Sequence, residues 1–76
     1  MEKLTTGERF ILDWQYQLAG DFNKALAEAC CRADSFNMVR LSKGFPEEVE
    51  AYISYTTVSG WWDDVRTKAR RMGWGI

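Results

Sequence analysis

The chain has no histidine, one proline and only two cysteines among its 76 residues. Histidine is the commonest general base and the commonest metal ligand, so its absence removes much of the usual catalytic chemistry. The two cysteines are adjacent, which leaves no CxxC motif and no zinc-binding spacing. A glycine-rich phosphate loop is also missing. We therefore expect no enzyme activity, no bound metal and no cofactor.

The cysteine pair, Cys30 and Cys31, leaves two interpretations open. On a helix, adjacent side chains point about 100° apart, so the two thiols cannot easily form a disulfide with each other. Unpaired cysteines are typical of a reducing compartment. Either both are small apolar residues of the core, or one of them is reactive or forms a disulfide with another chain.

No apolar run approaches the roughly 18 residues that a membrane-spanning helix needs, and we recognise no signal peptide. The formal net charge of −1 gives no overall attraction to nucleic acid or to an acidic membrane. We expect a cytoplasmic protein with neither of these partners. The charges are nevertheless uneven, since residues 44–59 carry three acids and no base, whereas residues 60–76 carry four bases and two acids.

Apolar and aromatic residues are plentiful, at 46% and 14% of the chain, which is too many for a disordered protein. A chain of this length forms a single domain, residues 1–76, and buries only about 60% of its unfolded surface. Four tryptophans are more than so small a core easily hides. We expect the surplus indole at a subunit interface or a ligand site, and therefore a homo-oligomer.

Capping signals divide the first half of the chain into helices. Thr5 and Glu8 have the spacing of a capping box, and Gly20 is expected to end the first helix. Asp21 is expected to cap the second helix, and Asp34 or the serine after it the third. The apolar positions expected on the inner faces of the first two helices are Phe10, Ile11, Trp14, Leu18, Phe22, Leu26, Ala29, Cys30 and Ala33.

Gly44 and Pro46 mark the end of the third helix and the start of the fourth. Residues 53–58 are rich in β-branched side chains, so a strand is an alternative there. Ser59 or Gly60 begins the last helix, which ends at Gly73. The expected inner positions of these helices are Phe45, Val49, Tyr52, Ile53, Thr56, Trp61 or Trp62, Val65, Ala69 and Met72. The pattern predicts an all-α fold, a compact bundle of four or five short helices.

The second half of the chain combines flat aromatic faces, hydroxyl groups and cations, which are the groups that hold a nucleotide. The candidate ligand-binding residues are Tyr55, Thr56, Trp61, Trp62, Arg66, Arg70, Arg71 and Trp74. The alternative is that the tryptophans lie in the core or at a subunit contact and that the basic residues form a solvated face. Asp64 stands four residues before Lys68, and this pair would neutralise part of the charge.

Two further surfaces are candidates for contact with a protein. Trp14 and Tyr16 are flanked by neutral polar residues, a composition typical of interfaces. Glu47, Glu48 and Glu50 form an acidic helix start that could mimic nucleic acid and occupy a basic groove, although their ordinary role is to stabilise the helix terminus.

Residues 10–17 (FILDWQYQ), 20–22 (GDF), 44–52 (GFPEEVEAY) and 60–62 (GWW) resemble small accessory proteins of tailed bacteriophages and prophages. The resemblance covers most of the chain and carries over no functional residue. It implies a counter-defence factor in the host cytoplasm. Such factors include anti-CRISPR inhibitors that bind a Cas protein, and sponges that trap cyclic or ADP-ribose-derived immune signals between subunits.

From the residues and the resemblance together, we expect a non-enzymatic anti-defence protein that sequesters a small anionic nucleotide signal. The tail cations and aromatics favour this function because they coincide in sequence. The alternative is an inhibitor of anti-CRISPR type, which blocks a host defence protein by direct binding. A regulator that contacts DNA through residues 66–71 is a third possibility, and the net charge argues against it.

Overall fold

The computed structural model describes residues 2–76, and these residues form five α-helices and no strand. The helices are α1 (Thr6–Gln15), α2 (Asp21–Arg32), α3 (Ser35–Gly44), α4 (Pro46–Thr57) and α5 (Trp61–Arg71). This architecture confirms the predicted all-α bundle. The strand alternative for residues 53–58 is wrong, because α4 continues to Thr57. No helix in the described part of the chain is long and apolar enough to cross a bilayer.

Two of the predicted caps form as expected. The backbone N–H of Glu8 donates to the Thr5 hydroxyl over 3.0 Å, and the Glu8 carboxylate accepts from the Thr5 N–H over 2.8 Å. The Asp34 carboxylate accepts from the N–H of Asn37 over 2.8 Å and begins α3. At the end of α5, Gly73 has a φ of 101°, in the left-handed region that glycine adopts without a steric penalty.

The link between α1 and α2 differs from the prediction. α1 ends at Gln15 rather than at Gly20, because Gln17 takes a left-handed conformation with a φ of 58°. Leu18 consequently lies outside the helix and is 63% exposed, so its predicted place on the inner face is wrong. Gly20 is the N-cap of α2, and Asp21 is the first helical residue rather than the cap.

The two helices that are in closest contact are α1 and α4, and they meet at Gly7. A Cβ atom on Gly7 would lie 2.6 Å from the Cβ of Ala51 and 2.6 Å from the carbonyl oxygen of Glu47. Such distances are far inside van der Waals contact, so the backbones approach as closely as they do only because position 7 has no side chain. Around this contact lies a buried cluster of Phe10, Ile11, Leu26, Ala27 and Ala51.

A second buried cluster joins α1 to α5. It consists of Leu12, Val65 and Ala69, and partly buried aromatic residues pack against it. No polar or charged side chain is buried within residues 2–76. The core of this small protein is therefore purely apolar, and all of its charges lie at the surface or in partly exposed pairs.

The inner faces were predicted correctly for some residues and wrongly for others. Phe22 is 65% exposed, and Ile53, Thr56 and Met72 are also exposed. The close α1–α4 contact explains why Ile53 is exposed. Ala51 faces α1, and Ile53, two residues later on the same helix, therefore points outward.

We predict that Gly7→Ala lowers the free energy of unfolding by about 1–3 kcal/mol, because the new methyl group overlaps the backbone of α4, which cannot move aside locally. Chemical denaturation followed by circular dichroism measures this change. Gly44→Ala is the matched control, since it is also helical and a Cβ there meets nothing within 4 Å. The control should be neutral or slightly stabilising. Equal stability of the two variants would exclude the close contact.

Candidate functional site

Six aromatic side chains form one continuous layer between α1, α4 and α5. This aromatic layer consists of Trp14, Tyr16, Tyr52, Tyr55, Trp61 and Trp62. Tyr55 is its centre, with ring centroids 5.8 Å from Trp14 and 5.5 Å from Trp62 in edge-on geometry. Pairs of this kind contribute about 0.5–1.5 kcal/mol each beyond their buried area. All six side chains are half-buried, so they support the fold and still expose an edge.

The layer brings together residues that the sequence assigned to two separate surfaces. Tyr16 lies against Trp62, with their ring centroids 6.0 Å apart. The predicted protein interface at Trp14 and Tyr16 and the predicted ligand residues at the start of α5 are therefore neighbours. Their contacts with each other also bury part of the indole surface that seemed in surplus.

An open cavity of about 380 Å³ lies at the turn between α4 and α5. Its lining consists of Tyr55, Thr56, Thr57, Val58, Ser59, Gly60, Trp62 and Asp63. Three of the predicted ligand residues, Tyr55, Thr56 and Trp62, are thus on one cavity. The Thr56 hydroxyl donates to the backbone carbonyl of Tyr52 over 3.1 Å. Its oxygen can still accept a hydrogen bond from a ligand.

Arg66 is next to this cavity and is already paired. Its guanidinium carbon lies 5.5 Å from the centroid of the Trp62 ring, in cation–π geometry. The guanidinium also forms an ion pair with Asp63, and the hydrogen bond from this pair raises the pKa of Arg66. An anionic ligand would have to share Arg66 with the Asp63 carboxylate.

The other predicted cations of α5 are not on the cavity, and they are also occupied. Arg71 makes a bidentate contact with Glu2, with nitrogen–oxygen distances of 3.0 and 2.7 Å. This hydrogen bond raises the pKa of Arg71 and lowers the pKa of Glu2. Arg70 donates from Nε to the backbone carbonyl of Ile76 over 2.9 Å. The three arginines are therefore not gathered into one phosphate-binding cluster.

Trp61 and Trp74 border other parts of the surface than the cavity at Trp62. Trp61 borders a groove of about 390 Å³ between α1 and α4, together with the carboxylates of Glu47 and Glu50. Trp74 packs on the Leu12 cluster, and the guanidinium carbon of Arg9 lies 4.9 Å from the centroid of its ring. Neither indole is on the cavity at Trp62.

Lys68 also has a partner, although not the predicted one. Its ammonium group lies 2.8 Å from the carboxylate of Glu8 on α1, and no ion pair with Asp64 forms within residues 2–76. The spacing of four residues suggested the Asp64 pair, but the packing of α5 on α1 turns Lys68 inward. Partial burial alone would raise the pKa of Glu8, and the hydrogen bonds from Lys68 and Thr5 outweigh it and lower this pKa.

An exposed apolar surface lies elsewhere, on α2 and α3, and the sequence analysis missed it. None of the ten residues of α3 is buried. Phe36 is 70% exposed and Val39 is 57% exposed. We define the α2–α3 surface as these two residues, Phe22, and the groove between the helices. The groove, of about 570 Å³, is lined by Ala29, Arg32, Ala33, Asn37, Arg40, Leu41, Gly44 and Phe45.

Two residues of the groove lining contact exposed rings outside it. The Phe45 ring lies 5.6 Å from the Phe22 ring, and the Arg40 guanidinium lies over the Phe36 ring, 5.7 Å from its centroid. A signal was present in the sequence, because α3 has apolar residues on two opposite sides. Leu41 packs inward, whereas Phe36 and Val39 share the outer side at a spacing of three.

The two cysteines have different surroundings. Cys30 is buried, and its burial raises the pKa of the thiol. Cys31 is an exposed free thiol, so only Cys30 fits the interpretation as a core residue. Within residues 2–76 there is no cluster of three or more potential metal ligands.

Comparison of the chain with models of protein families, with curated proteins and with solved structures finds no match in any of the three. The resemblance to phage accessory proteins therefore stays a prediction, as does the expectation that the protein is not an enzyme. Function has to be inferred from the surfaces of the fold.

The lowered pKa of Glu8 predicts a pH-dependent contribution to stability. Its carboxylate stabilises the fold above the ordinary value of 4.5, and this contribution is lost as the pH falls through the lower value in the folded state. We expect Glu8→Gln, which keeps an acceptor for the Thr5 N–H, to lower the free energy of unfolding by about 0.5–1 kcal/mol at neutral pH. The variant and wild type should converge in acid.

Denaturation midpoints across the acidic range test this prediction. Glu50→Gln is the matched control, because Glu50 borders the same groove and makes no ion pair within residues 2–76. A Glu8→Gln variant with the same deficit at every pH would contradict a role for the charge.

Proposed function

We propose that this protein acts by direct, stoichiometric binding to another protein, and that the α2–α3 surface is its contact. The observation that carries the proposal is that α3 buries none of its residues while Phe36 and Val39 are more than half exposed. Phe36 and Val39 are neighbours on one side of α3, and exposed apolar side chains that lie together rather than singly commonly mark a binding site.

The residue types of the α2–α3 surface support protein recognition. Aromatic residues and arginine are enriched at interfaces and dominate their binding energy. Here Phe36 and Arg40 are exposed and in contact, and Phe22 is exposed at the start of α2. Each large apolar side chain that a partner covers contributes about 1.5–3 kcal/mol. The groove beside them, with small residues such as Ala29 and Ala33 in its lining, leaves space for a partner's side chains.

The surface is also held in a defined shape. α3 is capped by Asp34 at its start, and the Phe45 N–H donates to the Leu41 carbonyl at its end over 2.8 Å. α3 packs against α4, which is in turn fixed to α1 by the contact at Gly7. A helix presented in this way loses little conformational freedom when a partner binds.

The resemblance to phage accessory proteins gives the proposal its biological context. In that context the partner would be a bacterial defence protein, and the chain would inactivate it in the host cytoplasm without chemistry of its own. This is the inhibitor alternative of the sequence analysis. We place it ahead of nucleotide capture because Arg66 and Arg71 already pair with Asp63 and Glu2, so a phosphate group would have to compete for them.

Nucleotide capture remains a second proposal, supported by the cavity at the turn between α4 and α5. Tyr55, Thr56 and Trp62 line it, and Arg66 stands beside it. A base could stack on the exposed edge of the aromatic layer while its phosphate competes with Asp63 for Arg66. The cost of breaking that pair makes this the weaker candidate.

For the protein-binding proposal, we predict that the wild-type chain restores plating of a phage on hosts that carry a defined defence system. Phe36→Ser with Val39→Ser should abolish this rescue, because it removes apolar contact area from the α2–α3 surface. Both side chains are exposed, so the stability of the variant should stay within about 0.5 kcal/mol of wild type. Calorimetry with the purified defence protein of the rescued system then measures affinity and stoichiometry.

The control is Ile53→Ser with Val58→Ser, which also removes two exposed apolar side chains but lies away from α3. It should rescue as well as wild type. Full activity of the Phe36/Val39 variant, or equal loss in the control, would refute the assignment of the contact to the α2–α3 surface.

For the second proposal, calorimetric titration with cyclic oligonucleotides and ADP-ribose derivatives is the measurement. A ligand that stacks on Trp62 should bind about tenfold or more weaker to Trp62→Ala, because stacking contributes about 1–3 kcal/mol per base. Arg66→Ala should weaken binding. Arg71→Ala is the control: it also removes one guanidinium group, but the one that pairs with Glu2, and it should leave binding unchanged. Absence of heat with every compound would remove the nucleotide proposal.

A further inference from the structure

The cations of this protein fall into two groups. Arg66, Lys68 and Arg71 form ion pairs, as does Arg9 with Asp13. The other six form none within the part of the chain that the structure describes, and all six are exposed: Lys3, Lys24, Arg32, Arg40, Lys43 and Arg70. Of these six, Arg32 and Arg40 line the groove between α2 and α3. These two guanidinium groups are also the only charged groups in the lining of the groove between α2 and α3.

The acids near the groove leave these guanidinium groups free. Glu28 precedes Arg32 by one helical turn but makes no ion pair with it within residues 2–76. The carboxylate of Asp34 accepts the hydrogen bond that caps α3. The groove therefore has an apolar lining, one amide from Asn37, and two unneutralised cations.

We infer that the groove between α2 and α3 binds an acidic amphipathic segment of a protein partner. Its carboxylates would lie on Arg32 and Arg40, and its apolar side chains on Leu41 and Phe45 in the groove and on Phe36 beside it, under Arg40. The inference rests on the proposed protein-binding function and names the chemistry of its partner. Charge complementarity carries it, because guanidinium groups match carboxylates in bidentate geometry. An amphipathic segment in an apolar groove is a recurrent mode of recognition.

Two other binding partners of the groove are a second copy of this chain and an anionic membrane. A second copy of this chain could offer Glu50 and Ile53, which are exposed together on the outward side of α4. An anionic membrane could also take up a basic apolar surface. The acidic peptide segment is favoured over the membrane because a groove has a shape that a flat lipid surface does not fill. Sedimentation of the chain alone separates the second copy from the acidic segment.

The test uses two synthetic peptides of about 15 residues, a length at which isolated helices are marginally stable in water. Both peptides have leucines at the same positions, so that the leucines form one helical face. The charged residues beside this face are all glutamate in the acidic peptide and all lysine in the basic peptide. Fluorescence anisotropy measures their binding to the full chain at low and moderate salt. We expect the acidic peptide to bind about tenfold tighter than the basic one or better, with a preference that shrinks as salt rises.

Arg32→Glu with Arg40→Glu should reverse the preference, so that the basic peptide binds tighter. An unfolded variant cannot produce such a reversal, which separates loss of the site from loss of the fold. The matched control is Lys3→Glu with Arg70→Glu, which makes the same change in net charge at exposed residues outside the groove. It should keep the preference for the acidic peptide.

Equal binding of both peptides, abolished by Phe36→Ser, would overturn the acidic partner and leave the proposed protein-binding function intact. Binding of neither peptide would also overturn the inference, while the plating experiment decides the function separately. The inference fails as well if sedimentation of the chain alone shows a Phe36-dependent dimer that excludes the acidic peptide. Binding to phosphatidylglycerol vesicles without binding to the acidic peptide would overturn it too.

Discussion

The rest of the structure depends on the close contact between α1 and α4 at Gly7. Because a hydrogen atom is all that position 7 carries, Ala51 and the backbone at Glu47 can approach α1 directly. This contact sets the rotation of α4 about its axis. The rotation buries Val49 and Ala51 and turns Ile53 to the outside. The aromatic layer and the groove at Trp61 both form along the interface that this contact creates.

The position of α5 on this pair of helices determines which charges are available for binding. Once α5 packs on α1, Lys68 meets Glu8 and Arg71 meets Glu2, so the basic residues of the tail stabilise the fold. The indoles of Trp14, Trp61 and Trp62 likewise pack within the fold, in the aromatic layer. On α3, by contrast, Phe36, Val39 and Arg40 are exposed to the solvent. This contrast favours protein recognition over nucleotide capture.

The local features of the fold followed from the sequence. The capping box of Thr5 and Glu8, the Asp34 cap, the proline at the start of α4 and the glycine after α5 were all identified. Each depends on hydrogen bonds or backbone preferences within about one helical turn, so neighbours in sequence contain the necessary information. The number of helices and the all-α class follow from these signals together with the apolar periodicity.

The features that decide the candidate sites depend on residues far apart in the chain. Lys68 pairs with Glu8, sixty positions away, rather than with Asp64 one turn before it. Phe36 stays exposed because no helix within residues 2–76 covers the outer side of α3, and the periodicity of α3 cannot reveal this. The sequence by itself determined where helices begin and which residues are apolar. Only the tertiary structure decided which apolar faces are buried and which charges form ion pairs, because burial and pairing depend on which helix surfaces meet.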